Sequence, residues 1–319
     1  MNLSVGADLC GIAVNWHSED HVEELIRAWP KDARFELIVV DNSSTLLTSY
    51  EGVQVLRPGK NLGFAGAANL GCQHTQATVV LVLNADASPT GSALQALLEG
   101  FKRWPDAAGL APRLVGLDGQ PQTKWQLRSL PSVWTLLLQT LLIPAGAGAA
   151  TEPEAGTEIE QPAAATLALR RKVLIEMGGF DEDFFPAWFE DVDLAARLKR
   201  RGIKIRYCPT AAFNHHLGAS VTPLGYGHFL WIYYKNLCRY LEKHHGFGWA
   251  MAARLLLSMA APTRIILLPL RKPKRAADRR SAARGLIDLA CGATSNWRRP
   301  IDWIDSKGPV SDEVSNRHV

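Results

Sequence analysis

The N-terminal third of the chain alternates between short, uninterrupted apolar runs and longer segments in which apolar residues recur at helical spacing. Four of the apolar runs have the length of buried strands, and they lie at residues 9–16, 35–40, 53–56 and 78–83. Residues 22–29 and 92–101 have the spacing of helices. Strands that are apolar on both faces and alternate with helices are typical of a parallel sheet covered on both sides. The pattern predicts an α/β fold with a Rossmann-like, mostly parallel sheet flanked by helices.

The pattern is less regular in the middle of the chain. A hairpin turn is predicted at 116–119, and an apolar run at 136–143 is too short to span a bilayer. Residues 144–165 are rich in Ala, Gly, Pro and Glu, which predicts a mobile loop. The remaining predicted elements are a strand at 166–171, a helix at 190–201, a strand at 203–207 and an aromatic helix at 228–242.

Polar side chains follow three of the predicted strands at the point where each strand ends. In an open parallel sheet, ligands bind beyond the carboxyl ends of the strands. Each polar pair alone is also compatible with loop chemistry, because Asn and Asp form Asx turns and cap helices. Three such pairs at one edge of one sheet favour a nucleotide site. The pairs are Asn15 with His17, Asp41 with Asn42, and Asn84 with Asp86.

A cluster of acidic residues opens the predicted helix in the last third of the chain. Glu190, Asp191 and Asp193 fall within four positions, directly after the aromatic residues Trp188 and Phe189. One or two acids at a helix start are explained by the helix macrodipole. Three acids beside bulky aromatic side chains favour carboxylates at the edge of a pocket, where they take up a proton or orient a polar ligand.

Composition is that of a soluble globular protein, with 47% hydrophobic and 21% charged residues. The formal net charge of +4 is too small to require a nucleic-acid partner, so none is expected. Five scattered cysteines without metal-ligand spacing indicate a reduced, cytoplasmic protein. The first residues lack the basic and long apolar stretches of a signal peptide, and none is expected there.

The C-terminal third has its own pattern. Residues 249–270 are apolar but interrupted by Arg254, Pro262 and Arg264, and seven basic residues follow between 271 and 284. The arginines and the proline argue against a transmembrane helix. An interfacial segment whose basic neighbours meet anionic head groups is favoured, and the alternative is a helical hairpin packed on the protein with a solvated basic tail. The prediction is a helical, membrane-associating extension at residues 226–319.

Six motifs follow one another in the order found in family 2 glycosyltransferases. Over residues 9–220 the sequence resembles the rhamnosyltransferase-like branch of that family, which builds bacterial surface polysaccharides. The motifs are Val40-Asp41-Asn42-Ser43-Ser44, Asn61-Leu62-Gly63-Phe64 with Asn69 and Gly71, Leu83-Asn84-Ala85-Asp86, Gly179-Phe180-Asp181-Glu182, Phe189-Glu190-Asp191-Val192-Asp193-Leu194, and His215 with Gly218 and Ser220.

The resemblance implies a GT-A fold, in which a nucleotide-binding α/β sheet is joined to an acceptor-binding half. On this basis residues 1–225 form the glycosyltransferase domain, with the donor half at about 1–118 and the acceptor half at about 119–225. The implied reaction is metal-dependent transfer of a sugar from a nucleoside diphosphate sugar, with inversion at the anomeric carbon. Mg²⁺ or Mn²⁺ is the implied cofactor.

The resemblance also implies roles for individual residues. Asp191 is the implied general base, with Glu190 and Asp193 as its companions. Asp86 is the implied metal-ligating carboxylate, and His215 is expected near the metal and the diphosphate. The other expected site residues are Trp188 and Phe189 on the acceptor side, and Asn15, Asp41, Asn42, Asn61, Gly63, Phe64, Asn69 and Asn84 on the donor side.

The sequence departs from the family pattern at Asn84, which replaces the first acid of the D-x-D motif. This leaves Asp86 as the one strong carboxylate of the motif and predicts weaker metal binding by the protein alone. The donor stays open between dTDP-rhamnose, which the resemblance favours, and a UDP-hexose. The acceptor is expected to be a glycan or a lipid-linked glycan, used at an anionic membrane surface on the inner face of the plasma membrane.

Two rival functions are considered. A nucleotidyltransferase would need a phosphate loop rich in glycine and basic residues directly after the first strand, which residues 15–20 do not provide. A catalytically inactive, membrane-bound scaffold of the same fold is the rival outside the enzymes. The presence of both Asp86 and Asp191 argues against the scaffold.

Overall fold

The computed structural model of the protein describes residues 6–43, 50–143, 148–149, 151–216, 224–270, 273 and 276–297. The chain divides into two compact units, each of which is described by itself. The first unit comprises Met1–Leu130, Ala147–Asp183 and Glu190–Ser220, and the second comprises Pro131–Gly146, Phe184–Phe189 and Val221–Val319.

Strands and helices alternate through most of the first unit. The strands are β1 (Leu9–Asn15), β2 (Phe35–Asp41), β3 (Gln54–Leu56), β4 (Val79–Asn84), β5 (Ala87–Pro89), β6 (Ala107–Val115), β7 (Leu127–Arg128), β8 (Gln161–Pro162), β9 (Thr166–Arg170) and β10 (Lys204–His215). The helices of the whole chain are α1 (Glu19–Ala28), α2 (Gly63–Gln73), α3 (Ala93–Arg103), α4 (Thr123–Gln126), α5 (Val133–Thr140), α6 (Arg171–Glu176), α7 (Glu190–Arg200), α8 (Gly225–His245), α9 (Phe247–Leu267) and α10 (Arg279–Ser295).

Eight of the described strands form one sheet, in the order β3-β2-β1-β4-β9-β6-β10-β5. The pairs β3–β2, β2–β1 and β1–β4 are parallel, as the apolar runs predicted, and β6–β10 is parallel as well. Strand β9 is antiparallel to both β4 and β6, so the sheet is mixed at its centre. Asn15 lies opposite Asp41, and Asn84 lies opposite Val14, the residue before Asn15. The carboxyl ends of β1, β2 and β4 are therefore level.

Side chains that alternate along each strand enter hydrophobic clusters on the two faces of the sheet. Leu37 and Val39 join the cluster that includes residues of α1 and α3, whereas Ile38 and Val40 join the cluster that includes residues of α2 and α7. Because both faces are covered by helices, neither face of these strands needs polar residues, which explains their uninterrupted apolar sequence.

Two stretches after β6 were the subject of sequence predictions, a hairpin turn at 116–119 and a mobile loop at 144–165. The hairpin turn predicted at 116–119 is confirmed by hydrogen bonds from the N–H of Gly116 to the carbonyl of Gln120 and from Gly119 to Gly116. Within the predicted mobile loop, Ile159 donates to the carbonyl of Ile205 along β10, and β8 pairs with β7. The mobility of that loop stays a prediction.

The second unit is helical in the part that the structure describes. Helix α9 packs against α5, α8 and α10, with Ala253, Leu257 and Ala261 fully buried. Helices α8 and α10 meet at two glycines, since a Cβ placed on Gly285 would lie 2.6 Å from the Cα of Gly227. Among the described helices, α9 alone is long and apolar enough to cross a bilayer by length and composition, and 22% of its most apolar window is buried.

Candidate active site

Three polar side chains lie together at the carboxyl ends of β1 and β2. The amide nitrogen Nδ2 of the buried Asn15 donates to Oδ1 of Asp41 at 2.9 Å, and the hydroxyl and N–H of Ser43 donate to the same oxygen. The Oδ1 of Asn15 accepts from the N–H of Ser18, which fixes the amide in this orientation. The Asp41 carboxylate is thus held in place at the edge where α/β sheets bind nucleotides.

Asn42 connects this edge to the start of α2. Its Nδ2 donates to the carbonyl of Gly63 at 3.0 Å, and its Oδ1 accepts from the N–H of Leu62 at 3.2 Å. The side chain of Asn61 accepts from the N–H of Gly63 at 2.8 Å, so it caps the same turn. The structure brings Asn42, Asn61 and Gly63 together, and their contacts shape the loop that leads into α2.

Phe64 and Asn69 make contacts elsewhere, although they belong to the same motif. Phe64 packs edge-on against Phe180, with ring centroids 6.3 Å apart. The amide of Asn69 exchanges hydrogen bonds with both backbone groups of Phe180 at 2.9 Å and also donates to Glu182. Gly179, at φ 74°, leaves no room for a side chain beside Asn69. In these contacts both residues anchor the turn that precedes Asp181, which is a structural task.

Asp86 and His215 lie side by side, buried, where β4 ends and β10 ends. The Nε2 of His215 is 3.6 Å from Oδ1 of Asp86, and that oxygen has no hydrogen-bond donor among the described residues. Gln122 sets the tautomer of His215. Its Nε2 donates to the His215 carbonyl, so its Oε1 faces Nδ1 at 2.7 Å and Nδ1 must carry the proton.

Two acceptors therefore face each other without a proton between them. With Nδ1 protonated, the lone pair of His215 Nε2 lies beside the carboxylate oxygen of Asp86. Burial lowers the pKa of His215 to about 4, and it raises the pKa of Asp86 to about 6, an effect that His21 and His216 partly oppose. A divalent cation would be the partner that both atoms lack, so the donor set fits Mg²⁺ or Mn²⁺.

A second group of ligand types lies on α1 and just after β10. His21, Glu24 and His216 each offer one ligand atom, and these atoms lie within 4.8 Å of one another. The rings of His21 and His216 meet edge-on at 5.0 Å. Glu24 is exposed and all three side chains reach solvent, so the group lacks the buried, unpaired oxygen that distinguishes Asp86.

Asp191 is held by the short ribbon of β7 and β8. Its Oδ2 lies 3.3 Å from the N–H nitrogen of Ala164 and 3.4 Å from Nε2 of Gln161, both of which donate to it. Nη2 of Arg128 is 3.9 Å from the same oxygen, and Arg128 lies opposite Gln161 in the ribbon. The Asp191 side chain keeps 13% of its surface exposed, so the carboxylate is oriented and still accessible.

Glu190 and Asp193 have different surroundings from Asp191, although all three open α7. Glu190 is buried, and its Oε2 has no hydrogen-bond partner among the described residues. Burial, with a contribution from the charge of Asp191, raises the pKa of Glu190 well above its ordinary value. Asp193 is fully buried and accepts from Nε of Arg197 at 2.7 Å, while Arg197 also donates to the carbonyls of Met177 and Gly179. Asp193 thus secures α7 to the preceding turn.

Comparison with protein-family models identifies the domain to which the N-terminal part of the site belongs. Residues 17–157 match the family model of Glycosyl transferase family 2. The chain contains a family 2 glycosyltransferase domain. The match includes Asp41, Asn42, Asp86 and strand β7, and the protein is a glycosyltransferase.

Relatives and a solved structure extend the comparison over most of this glycosyltransferase. It is 28% identical over 273 residues to the N-acetylglucosaminyl-diphospho-decaprenol L-rhamnosyltransferase of Mycobacterium tuberculosis, covering 77% of this chain and 88% of the relative. It is 23% identical over 249 residues to a low-salt glycan biosynthesis hexosyltransferase of Haloferax volcanii, covering 76% of this chain and 77% of the relative.

The fold is shared with GalNAc-T7, solved with UDP, GalNAc and Mn²⁺. The TM-score is 0.53 at 13% identity, and the match covers 92% of this chain and 56% of that one. The predicted GT-A fold is confirmed: a large mixed sheet flanked by helices, with an apolar helix near the C-terminal end.

The two aromatic residues expected to bind the acceptor belong to the second unit of the glycosyltransferase. Trp188 and Phe189 both have positive φ, at 69° and 74°, and Asn236 of α8 donates to the carbonyl of Trp188 at 3.1 Å. Phe189 is buried against Tyr233 and Tyr240, whereas Trp188 is partly exposed and meets Phe229 edge-on. Of the two, Trp188 retains a surface that a ligand can reach.

Three residues of the candidate site of the glycosyltransferase were missed by the sequence analysis. Gln122 sets the tautomer of His215, and Arg128 and Gln161 face Asp191. Gln161 falls within the segment predicted as a mobile loop, where its composition gives no signal for a site. The turn-rich sequence around Gln122 and Arg128 gives none either.

Proposed function

We propose that this glycosyltransferase moves a sugar from a nucleoside diphosphate sugar to a hydroxyl group of a lipid-linked glycan, with inversion at the anomeric carbon. A rhamnose-like sugar from dTDP-rhamnose is the favoured donor, ahead of a UDP-hexose. This choice is supported by the mycobacterial relative, whose name gives rhamnosyl transfer to N-acetylglucosaminyl-diphospho-decaprenol and which this chain covers over 88% of its length.

One observation carries the proposal: of the three acids that open α7, Asp191 alone is both oriented and accessible. Glu190 is buried, which raises its pKa and favours its neutral form, and Asp193 is buried against Arg197. Two N–H donors fix the Asp191 carboxylate while part of it remains exposed. Asp191 is therefore the group that takes up the proton of an acceptor hydroxyl.

The proposed reaction is a single displacement at the anomeric carbon. The acceptor oxygen forms a bond to the anomeric carbon as its proton passes to Asp191, and the bond from that carbon to the diphosphate oxygen breaks. The diphosphate leaves with the electron pair. Because attack and departure take place on opposite faces of the sugar, the configuration inverts.

Asp86 and His215 are the residues that would hold the cation. Nε2 of His215 and Oδ1 of Asp86 are unprotonated, adjacent and buried, and Gln122 keeps the histidine in the tautomer that offers Nε2. A bound Mg²⁺ or Mn²⁺ supplies charge that stabilises the departing diphosphate. The use of one carboxylate follows from Asn84, which cannot add a second negative charge.

The polar residues at the carboxyl ends of β1 and β2 provide the donor half of the site. Asn15 and Ser43 orient the carboxylate of Asp41, which is proposed to accept hydrogen bonds from the base or the ribose of the nucleotide. Asn42, Asn61 and Gly63 fix the loop that forms the neighbouring wall. The amide of Asn84 lies beside Asp86 and lowers its pKa, a contribution smaller than that of burial.

The proposed acceptor determines where in the cell the protein works. A polyprenol-linked acceptor is embedded in a membrane, so the protein is proposed to work as a peripheral protein on the cytoplasmic face of the plasma membrane. This is supported by the substrate in the name of the mycobacterial relative and by the apolar helix α9.

The test is a transfer assay with purified protein. Radiolabelled dTDP-rhamnose, UDP-glucose, UDP-N-acetylglucosamine and GDP-mannose are each offered with N-acetylglucosaminyl-diphospho-polyprenol and Mn²⁺, and the anomeric configuration of the product is determined by NMR. The expected result is transfer from dTDP-rhamnose with inversion. Retention of configuration, or hydrolysis without transfer for every donor, contradicts the proposal. Asp118→Asn, a change at an exposed turn of the first unit, is the matched active control.

A further inference from the structure

The outward face of α9 carries a row of exposed apolar side chains from Phe247 to Ile266. Its exposed side chains recur every three to seven residues, which places them along one side of the helix. They are Phe247, Met251, Leu255, Met259 and Ile266, with exposed fractions of 64%, 41%, 63%, 62% and 76%. An exposed apolar surface of this extent marks an interaction site. The five residues are named here the α9 stripe.

The two arginines within α9 do not interrupt the stripe. Nε of Arg254 donates to the carbonyl of Ala293 at 2.7 Å, and its Nη1 donates to Oδ1 of Asn296. Nη2 of Arg264 donates to the carbonyl of Leu142 at 2.9 Å. Both guanidinium groups therefore satisfy carbonyl groups at the ends of neighbouring helices of the same unit, where a cation also complements the helix dipole.

The opposite face of α9 is covered by protein. Ala250, Ala253, Leu257 and Ala261 are buried against the other helices of the second unit. A helix that spans a bilayer as a lone segment would expose all its sides to lipid. Here one side of α9 is covered by protein and the stripe is exposed, which is the arrangement of a helix that lies in the plane of the membrane surface.

Two tryptophans and several arginines flank the stripe. Trp134 of α5 is 68% exposed and meets Trp249 edge-on, with ring centroids 5.7 Å apart. Tryptophan at the border of an apolar surface is typical of the head-group region of a bilayer. At the other end, Arg279 donates to the carbonyls of Leu268 and Pro269 and is exposed. The stripe thus ends at a cation.

We propose that the α9 stripe inserts into the surface of an anionic membrane, with α9 parallel to the bilayer. The inference rests on the lipid-linked acceptor of the proposed function and names the surface that brings the protein to it. Arg279, Arg280 and Arg284 are exposed on α10, which packs against α9, and they are the cations that meet the lipid phosphates in this proposal. A second copy of the chain fits less well, because a symmetric contact would bring these cations together.

Four further basic residues lie between α9 and α10 in the sequence. Arg271, Lys272, Lys274 and Arg275 lie outside the described residues, and they form no part of the proposed surface. Their effect on binding stays a sequence-based prediction: replacing all four by Gln should abolish vesicle binding and spare activity on a soluble acceptor analogue.

The test compares two variants by vesicle flotation. Leu255→Gln with Met259→Gln makes the centre of the stripe polar without touching a buried residue. Ile175→Gln, at an exposed position of α6, is the matched control. Phosphatidylglycerol vesicles and phosphatidylcholine vesicles are used at low and high salt, and circular dichroism verifies that each variant is folded.

The expected result is binding of the wild-type protein to phosphatidylglycerol that weakens with salt. The double variant should bind at least about tenfold more weakly, since each polar substitution removes apolar burial in lipid. The control should bind as the wild type does. Equal binding by the double variant overturns the proposal, as does absence of wild-type binding. Sedimentation that shows a dimer lost in the double variant assigns the stripe to a second copy instead.

Failure of this inference can be separated from failure of the proposed function. Vesicle binding requires neither donor nor acceptor, and transfer to a short-chain, detergent-soluble acceptor requires no membrane. A protein that transfers sugar but ignores vesicles overturns the α9 proposal alone. A protein that binds vesicles but transfers no sugar overturns the reaction alone.

Discussion

The N–H nitrogen of Ala164 lies 3.3 Å from Oδ2 of Asp191 and donates to it. Ala164 lies two residues before Thr166, where β9 begins, and β9 is the strand inserted between β4 and β6. The segment that leads into the central sheet thus helps to orient a carboxylate on a helix, through a backbone N–H that any substitution at 164 other than proline retains. We expect this support to persist when Asp191 itself is changed.

Asp191→Asn should abolish transfer while leaving donor binding near normal. The amide keeps the shape of the carboxylate but cannot take a proton from the acceptor, and general-base help is worth about 10²–10⁴ in rate. Turnover and donor affinity are measured separately, by product formation and by calorimetry. If more than about a tenth of wild-type turnover remains, the base lies elsewhere, with Glu190 or Asp193 next to be tested.

Glu190→Gln should behave oppositely and keep turnover within about threefold of wild type. Burial raises the pKa of Glu190 and so favours its neutral form, and glutamine preserves a neutral side chain of similar shape. A steady-state rate assay beside Asp191→Asn checks this. A large loss of rate in Glu190→Gln would indicate that the Glu190 proton takes part in the reaction.

The same variant carries a pH prediction. The folded-state pKa of Glu190 is raised, so its contribution to stability is present at acidic pH and is lost as the pH rises through that value. Wild type should therefore lose stability relative to Glu190→Gln as the pH is raised from about 4.3, the ordinary pKa of glutamate, to alkaline values. Urea unfolding of both proteins across this range measures the difference. A difference that does not change with pH contradicts the assignment.

Asp86→Ala should weaken donor binding in the presence of Mn²⁺ and flatten the dependence of rate on metal concentration. The variant removes the one buried carboxylate that faces the lone pair of His215. Mn²⁺ titration of donor binding gives the midpoint, and an unchanged midpoint would contradict the assignment. Glu24→Gln is the control, because a shifted midpoint in that variant alone would place the metal with His21, Glu24 and His216.

Asp193→Asn should destabilise the fold by about 3 kcal/mol, because it leaves Arg197 without its carboxylate partner at a site where the aspartate is fully buried. Both residues lie on α7, four positions apart. Glu23→Gln breaks an exposed pair of the same spacing with Arg27 and should cost no more than about 0.5 kcal/mol. Urea unfolding compares the two. A loss of transfer without a loss of stability in Asp193→Asn would favour a catalytic role.

The sheet was largely predictable, because the signals that define its parallel strands are local. Uninterrupted apolar runs gave the four N-terminal strands to within a residue or two, and the polar side chains that end the first two strands meet in the hydrogen bond from Asn15 to Asp41. The position of β9 between β4 and β6 was not predictable, since a five-residue strand gives no information on its neighbours or direction.

The support of the site was hidden because its partners are far apart in sequence. Gln122 and His215 are separated by 93 residues, and Arg254 reaches a carbonyl 39 residues away. In a hydropathy profile of the sequence, Arg254 interrupts an apolar segment. In the fold the guanidinium group of Arg254 donates to groups at the end of α10 and leaves the exposed apolar surface of α9 intact.

The role of α10 has a practical consequence for anyone who shortens this protein. The C-terminal turn of α10 supplies the carbonyl of Ala293 and the side chain of Asn296 to Arg254, and Leu286 and Leu289 of α10 are buried. A fragment cut before residue 279 would look like the removal of a basic tail, yet it would strand a guanidinium group within an apolar helix. A cut after residue 297 spares every one of these contacts, and that is where a shortened gene should end.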